Sequence, residues 1–131
     1  MDGVLKCLKA IADENRTRIL LLLLKRELSV CELMAVLRVS QPLVSRHLSI
    51  LREAGLVKNR RDGKLHFYSV TDEALSGGKA GFVGLLSDSL KDDATVEHDR
   101  LRLRRCLEYQ EKNNGRNVES LLRFSRQEVT A

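Results

Sequence analysis

A mainly α-helical domain carrying one β-hairpin is the fold this sequence predicts, and three observations predict it. Apolar residues recur at helical spacing through most of the chain. The run Ser40 to Val57, SQPLVSRHLSILREAGLV, holds a helix start, an amphipathic body and a stop. Asp62-Gly63 then separates two runs rich in strand-forming residues, a strong hairpin signal.

Composition narrows the function. A length of 131 residues favours one domain. With no Trp and 4% aromatic residues, its core must be built largely from Leu, Ile and Val. A formal net charge of +5 favours a polyanionic partner. Much of that excess is local: between Gln41 and Val70, six basic residues (Arg46, Arg52, Lys58, Arg60, Arg61, Lys64) face two acidic ones, Glu53 and Asp62. An enzyme is disfavoured. No Ser-His-Asp or Cys-His set is recognisable and no CxxC pair occurs. The glycines at 77, 78, 81 and 84 lack the Lys-Ser/Thr pair of a phosphate loop. Lys6, Lys9 and Asp13 interrupt any signal-peptide core, and the longest apolar run, Ile19 to Leu24, falls far short of the ~20 residues of a membrane span. Cys7, Cys31 and Cys106 are odd in number and widely spaced, unlike a secreted disulfide framework. A cytoplasmic protein with no membrane partner is expected.

Taken in order, Val4, Leu5, Leu8, Ala10 and Ile11 predict a short amphipathic helix over residues 3–12, too short to be stable undocked. Asp13 to Arg18 opens a second helix, with acids at its positive end. Its body, Ile19 to Leu24, is apolar all round and so should be buried on several sides; Lys25 and Arg26 suit its end. Ser29-Val30-Cys31-Glu32 matches a capping box, and Val30, Leu33, Met34 and Leu37 supply a buried stripe behind it. Arg38-Val39 makes a tight connection to the next helix, where Ser40 should cap, Pro42 falls in the first turn and Gly55 provides a left-handed stop. Leu43, Val44, Leu48, Ile50, Leu51 and Ala54 share one arc of that helix. Gln41, Ser45, Arg46, Ser49, Arg52 and Glu53 fill the other with groups that reach base edges and phosphates. Two short helices joined so closely make a helix-turn-helix.

The hairpin follows, with Asp62 and Gly63 expected at positive φ and Arg60, Arg61 and Lys64 at its tip. A basic tip after a recognition-type helix is a winged helix-turn-helix. The plainer alternatives are an amphipathic surface helix and a solvated turn. Thr71 with Asp72 and Glu73 starts a further helix, and helices are predicted over 78–91 and 94–112, closed by Asn113-Asn114-Gly115. Residues 1–112 are taken as the domain. Residues 113–131 form a C-terminal tail, either one or two turns around Val118, Leu121, Leu122 and Phe124 or disordered.

Leu8 to Leu20 (LKAIADENRTRIL), Ser29 to Leu33, Ser40 to Leu48, Leu51 to Val57, Arg61 to Lys64 and Phe67-Tyr68 together resemble the ArsR/SmtB family of bacterial winged-helix repressors. The resemblance covers roughly residues 5–71. It implies a homodimer, joined by the N-terminal and post-wing helices, that binds an imperfect palindrome in double-stranded DNA and is released by an inducer. It implies base contacts from Gln41, Ser45 and Arg46, a phosphate near Ser40, and backbone or minor-groove contacts from Arg60, Arg61 and Lys64. His47 matches the family's Ser-x-His-Leu pattern and is carried with the DNA-binding set. Its place on the apolar arc favours a core or hinge histidine bonded to backbone over a metal ligand.

No constitutive cofactor is implied. Arsenic- and cadmium-sensing members carry a cysteine-rich turn where Cys31 stands, so arsenite, antimonite or another thiophilic metal is the expected inducer. Cys7 or Cys106 would have to complete that site across the dimer. The alternatives for the cysteines are burial as small apolar residues or a redox switch, and an organic inducer stays open. A zinc-like site at Asp93, Glu97, His98 and Asp99 lacks the second histidine it needs. A winged-helix protein-interaction module is the remaining rival.

Overall fold

In a computed structural model, residues 1–113, 115, 121 and 124 are described. The order is α1 (Asp2–Ile11), α2 (Glu14–Leu23), β1 (Leu28–Ser29), α3 (Val30–Leu37), α4 (Gln41–Glu53), β2 (Val57–Asp62), β3 (Leu65–Val70), α5 (Asp72–Leu75), α6 (Ala80–Ser89) and α7 (Ala94–Lys112). The strands form one antiparallel sheet in the order β1-β3-β2. This is the winged helix-turn-helix expected.

α2 is the central helix, with Ile19, Leu20, Leu22 and Leu23 all at most 3% exposed. Asp13 caps it by accepting from the Arg16 amide. The helix ends at Leu23, so Lys25 and Arg26 lie beyond it rather than in its last turn. Around it, Leu28, Leu33, Leu48, Leu51 and Leu56 are fully enclosed. Truncating any one of them to Ala would cost about 2–5 kcal/mol, so these leucines set the stability that the missing aromatics do not.

The capping box at Ser29 and Glu32 is formed in both directions. α3 ends at Arg38, which takes a left-handed φ of 57° and turns the chain into α4. Ser40 does not act as the cap it was expected to be. Its side chain makes no cap hydrogen bond, and Pro42 at the second helical position removes one of the two amides it could have served. α4 is closed by Gly55 at φ 77°, as expected.

The hairpin turn is one residue later than the sequence predicts. Asp62 pairs with Leu65, so the two-residue loop is Gly63-Lys64, and Gly63 alone has positive φ, at 61°. A loop with Gly first needs positive φ only there, which spares Asp62 the left-handed region. Among the post-wing helices, the short α5 is capped by Thr71. α7 keeps its expected 94–112 span, whereas α6 is shorter than 78–91. α7 packs across α2 and α3. Leu121 and Phe124 are buried in the core, Phe124 against the Tyr109 ring. Val118 and Leu122 lie outside the described residues.

Candidate nucleic-acid interface

α4 presents two unlike faces. Val44, His47, Leu48 and Leu51 are buried, while Gln41, Ser45, Arg46, Arg52 and Glu53 are exposed and Ser49 is half-buried. Leu43 departs from the expected arc and is 39% exposed. Ser40 is exposed at the helix start, its hydroxyl unused by the cap. Arg46 is restrained by no ion pair among the described residues, so its five donors stay available to an anion or a base edge.

Between α3, the start of α4 and the wing lies a groove of about 440 Å³. Gln41 and Ser45 line it from α4, Lys64 and His66 from the wing, and Cys31 and Met34 from α3. The recognition face and the wing therefore border one concavity. Lys64 sits in the turn itself, and Arg61 donates to the Gly63 carbonyl at 3.1 Å beside it. Arg60 is not at the tip. It pairs across the sheet with Phe67, lies 4.7 Å over that ring, and donates to both oxygens of Glu27, at 2.5 and 3.2 Å. Its role is to pin the wing's base to the α2–β1 connection.

His47 does not belong to the exposed face. It is 7% exposed and turned toward Arg16, whose Nη1 stands 3.3 Å from His47 Nδ1. Arginine has only donors, so Nδ1 accepts and the ring is neutral with its proton on Nε2. Burial, with the neighbouring Arg16 and Arg46 charges, pushes the His47 pKa down against an opposing pull from Asp13. The expected backbone partner is replaced by this side chain.

Three arginines that sequence reasoning gave no role hold α4 and its neighbours in place. Arg16 donates to the Ala10 and Lys9 carbonyls, at 2.6 and 3.2 Å, and so closes the end of α1 while touching α4. Arg18 makes a two-pronged ion pair with Asp99 of α7, both contacts 2.8 Å. Arg102, 3% exposed, donates to the Val36 and Ala35 carbonyls at 2.9 and 2.6 Å, closing the end of α3 just before the turn into α4. One signal was available for two of them: Arg16 and Arg18 lie in the opening turns of a helix, where positive charge opposes the dipole and calls for an outside partner.

All three cysteines are free thiols. Cys7 and Cys106 are both 0% exposed, Cys7 donating to the Ala54 carbonyl at 3.4 Å. Both belong to the buried core of their own chain. Cys31 is half-buried, and burial followed by the Glu32 charge pushes its thiol pKa up. The acidic residues near α7 have other contacts: Asp93 spends one carboxylate oxygen capping α7, Glu97 pairs with Arg100 and Asp99 holds Arg18. Among the described residues no group of three or more His, Cys, Asp or Glu is placed to hold a metal ion.

This geometry recurs in known proteins. The profile described as bacterial regulatory protein, arsR family, matches residues 13–59. The solved structure of HlyU from Vibrio cholerae is 37% identical, with a TM-score of 0.61 over 70% of this chain and 95% of that one. The chain belongs to the arsR family. Arsenic resistance transcriptional regulator ArsR1 of Pseudomonas putida is 48% identical over 66 residues, 50% of this chain and 52% of that protein. The arsenical resistance operon repressor of Escherichia coli is 48% identical over 64 residues, 48% and 55% of the two. The chain thus spans about half the length of the curated relatives it matches. The family is one of regulatory proteins, and these relatives are named as transcriptional regulators and repressors, not as enzymes. None of its described helices is long and apolar enough to cross a membrane.

Proposed function

We propose that this chain is a homodimeric, cytoplasmic DNA-binding repressor released from its operator by an inducer. The observation that carries this reading is the exposed face of Gln41, Ser45 and Arg46 on α4, with Gln41 and Ser45 sharing one groove with Lys64 of the wing. The exposed apolar residues Val4, Leu5 and Leu8 on α1 and Leu85 on α6 support pairing with a second copy. A twofold dimer would set its two α4 helices in successive major grooves, which suits an imperfect palindrome in double-stranded DNA. The sign of regulation follows the Escherichia coli relative, named an operon repressor. HlyU of Vibrio cholerae is named a transcriptional activator, and reporter output decides between the two signs.

Fluorescence anisotropy on DNA from upstream of the protein's own gene tests the reading. Arg46→Ala should weaken operator binding by about 1–3 kcal/mol and random-sequence binding far less. Equal losses on both would remove direct readout by Arg46. Absence of any DNA binding would favour a protein-interaction module.

A thiophilic inducer, arsenite or antimonite among them, is supported only at Cys31. Cys7 and Cys106 are enclosed elsewhere, whereas Met34 and His66 share the Cys31 groove and offer a soft thioether and an imidazole as further donors. That groove also holds Gln41, Ser45 and Lys64, so a metalloid there would occupy space the DNA needs. Arsenite should release the operator under reducing conditions and fail to do so in Cys31→Ser. Because the Cys31 thiol is pushed up and metal displaces its proton, release should strengthen as pH rises. A disulfide at Cys31 within the chain gains no support, since neither other thiol lines its groove.

A further inference from the structure

A second concavity, of about 340 Å³, lies on a different part of the molecule, where the α1–α2 junction meets the α6–α7 junction. Its volume is in the range of small-molecule sites. Ile11, Leu86, Leu90 and Val96 give it apolar walls, and Asp13, Glu14 and Asp93 line it as well. Among the described residues Arg18 is the one basic residue lining it, and both its Nε and Nη2 donate to Asp99, so that charge is already matched. In a chain of net charge +5, the cleft is locally acidic.

We propose that this cleft binds an amphipathic organic cation, its apolar body between Leu86, Leu90, Ile11 and Val96 and its ammonium against the carboxylates. Asp93 spends Oδ1 on the Thr95 and Val96 amides and keeps Oδ2 for a ligand, while Asp13 spends Oδ1 on the Arg16 amide and shares Oδ2 with the Arg16 guanidinium. Asp13 is kept ionised, held below the usual carboxylate range chiefly by the Arg16 amide. The same Asp13 Oδ2 stands 3.8 Å from Arg16 Nη1, which is the nitrogen that meets His47 of α4. A cation on Asp13 competes with Arg16 for that oxygen and loosens the link between α2 and α4. The cleft is thereby an effector site, separate from the Cys31 groove. Its effect on DNA rests on the repressor reading above, while binding itself does not.

The test takes the whole chain without DNA and titrates 4-phenylbutylamine, 4-phenylbutanol and 4-phenylbutyrate by calorimetry and ligand-observed NMR. The amine should bind at least tenfold tighter than the alcohol, and the carboxylate should not bind. Glu14→Gln with Asp93→Asn, which keeps a capping side chain at 93, should reduce amine affinity several-fold and leave the alcohol unchanged. Leu90→Trp, filling the cleft from a half-buried position, should abolish binding of both. No saturable amine binding, equal binding of the carboxylate, or full binding to Leu90→Trp overturns the site. A final arm adds amine to the operator complex: release supports the effector role, and retention of DNA by the amine-loaded protein overturns it. A protein that takes up amine but binds no DNA defeats the repressor reading and leaves the site standing.

Discussion

Arg16 enters α2 at its third position, where a cation opposes the helix dipole, and yet it is only 15% exposed at the side chain. Its contacts with the end of α1 and with His47 outweigh that misplacement. The arrangement makes His47 a proton-sensitive joint. Protonation would put a hydrogen on the nitrogen that now accepts from Arg16 and add a second positive charge beside it. The folded pKa of His47 lies below its ordinary value of about 6.5. The contribution is therefore fully present above pH about 6.5, and is lost as pH falls from there toward the lowered folded value, where the unfolded chain binds more protons. The groups facing the ring are Asp13 and Arg16 from α2 and Arg46 on its own helix. Thermal unfolding followed from pH 7.5 to 5 should show this fall in the native protein, and a smaller fall in His47→Gln. Helical spacing put His47 among buried residues correctly. Its partner was illegible because the pairing spans 31 residues and no local pattern records it.

At the scale of elements, the wing divides its basic residues between two tasks. Lys64 and Arg61 stand at the turn, while Arg60 is engaged with Glu27 and Phe67 at the sheet. Arg60 and Arg61 are separated because consecutive residues of a strand point to opposite faces of the sheet. If the wing meets phosphate, Lys64→Ala and Arg61→Ala should each lower the slope of log K against log salt by about 0.9. Arg60→Ala should leave that slope unchanged, and anisotropy titrations across salt concentrations separate the cases. The hairpin was legible from Asp62-Gly63, but its register was not, since glycine serves either central position of a tight turn. For α4, start, stop and polar face could all be read from the sequence. The idle Ser40 hydroxyl could not, because it depends on Pro42 having taken away an amide that only the folded geometry would have offered.

The whole molecule is closed by α7. Its residue range could be read from Asp93 to Asn113, but its docking could not. Asp99 and Arg102 look like ordinary solvent-facing charges in the sequence, and only the fold turns them inward onto α2 and α3. Arg102→Leu should cost about 2–4 kcal/mol, because two buried carbonyls at the end of α3 lose their donor. Urea unfolding measures that loss. A fall in operator affinity at temperatures where the variant is still folded would reveal how far α7 holds the turn into α4.

That docking also gives the protein an order of assembly in time. Arg102 is made 66 residues after Val36, and translation adds about 5–20 residues per second, so the end of α3 waits about 3–13 s for its donor. Through that interval the recognition helix has emerged while the strap behind it has not. A nascent chain paused before α7 would hold the α4 sequence on an unfinished frame, and the reading head becomes rigid only when α7 arrives.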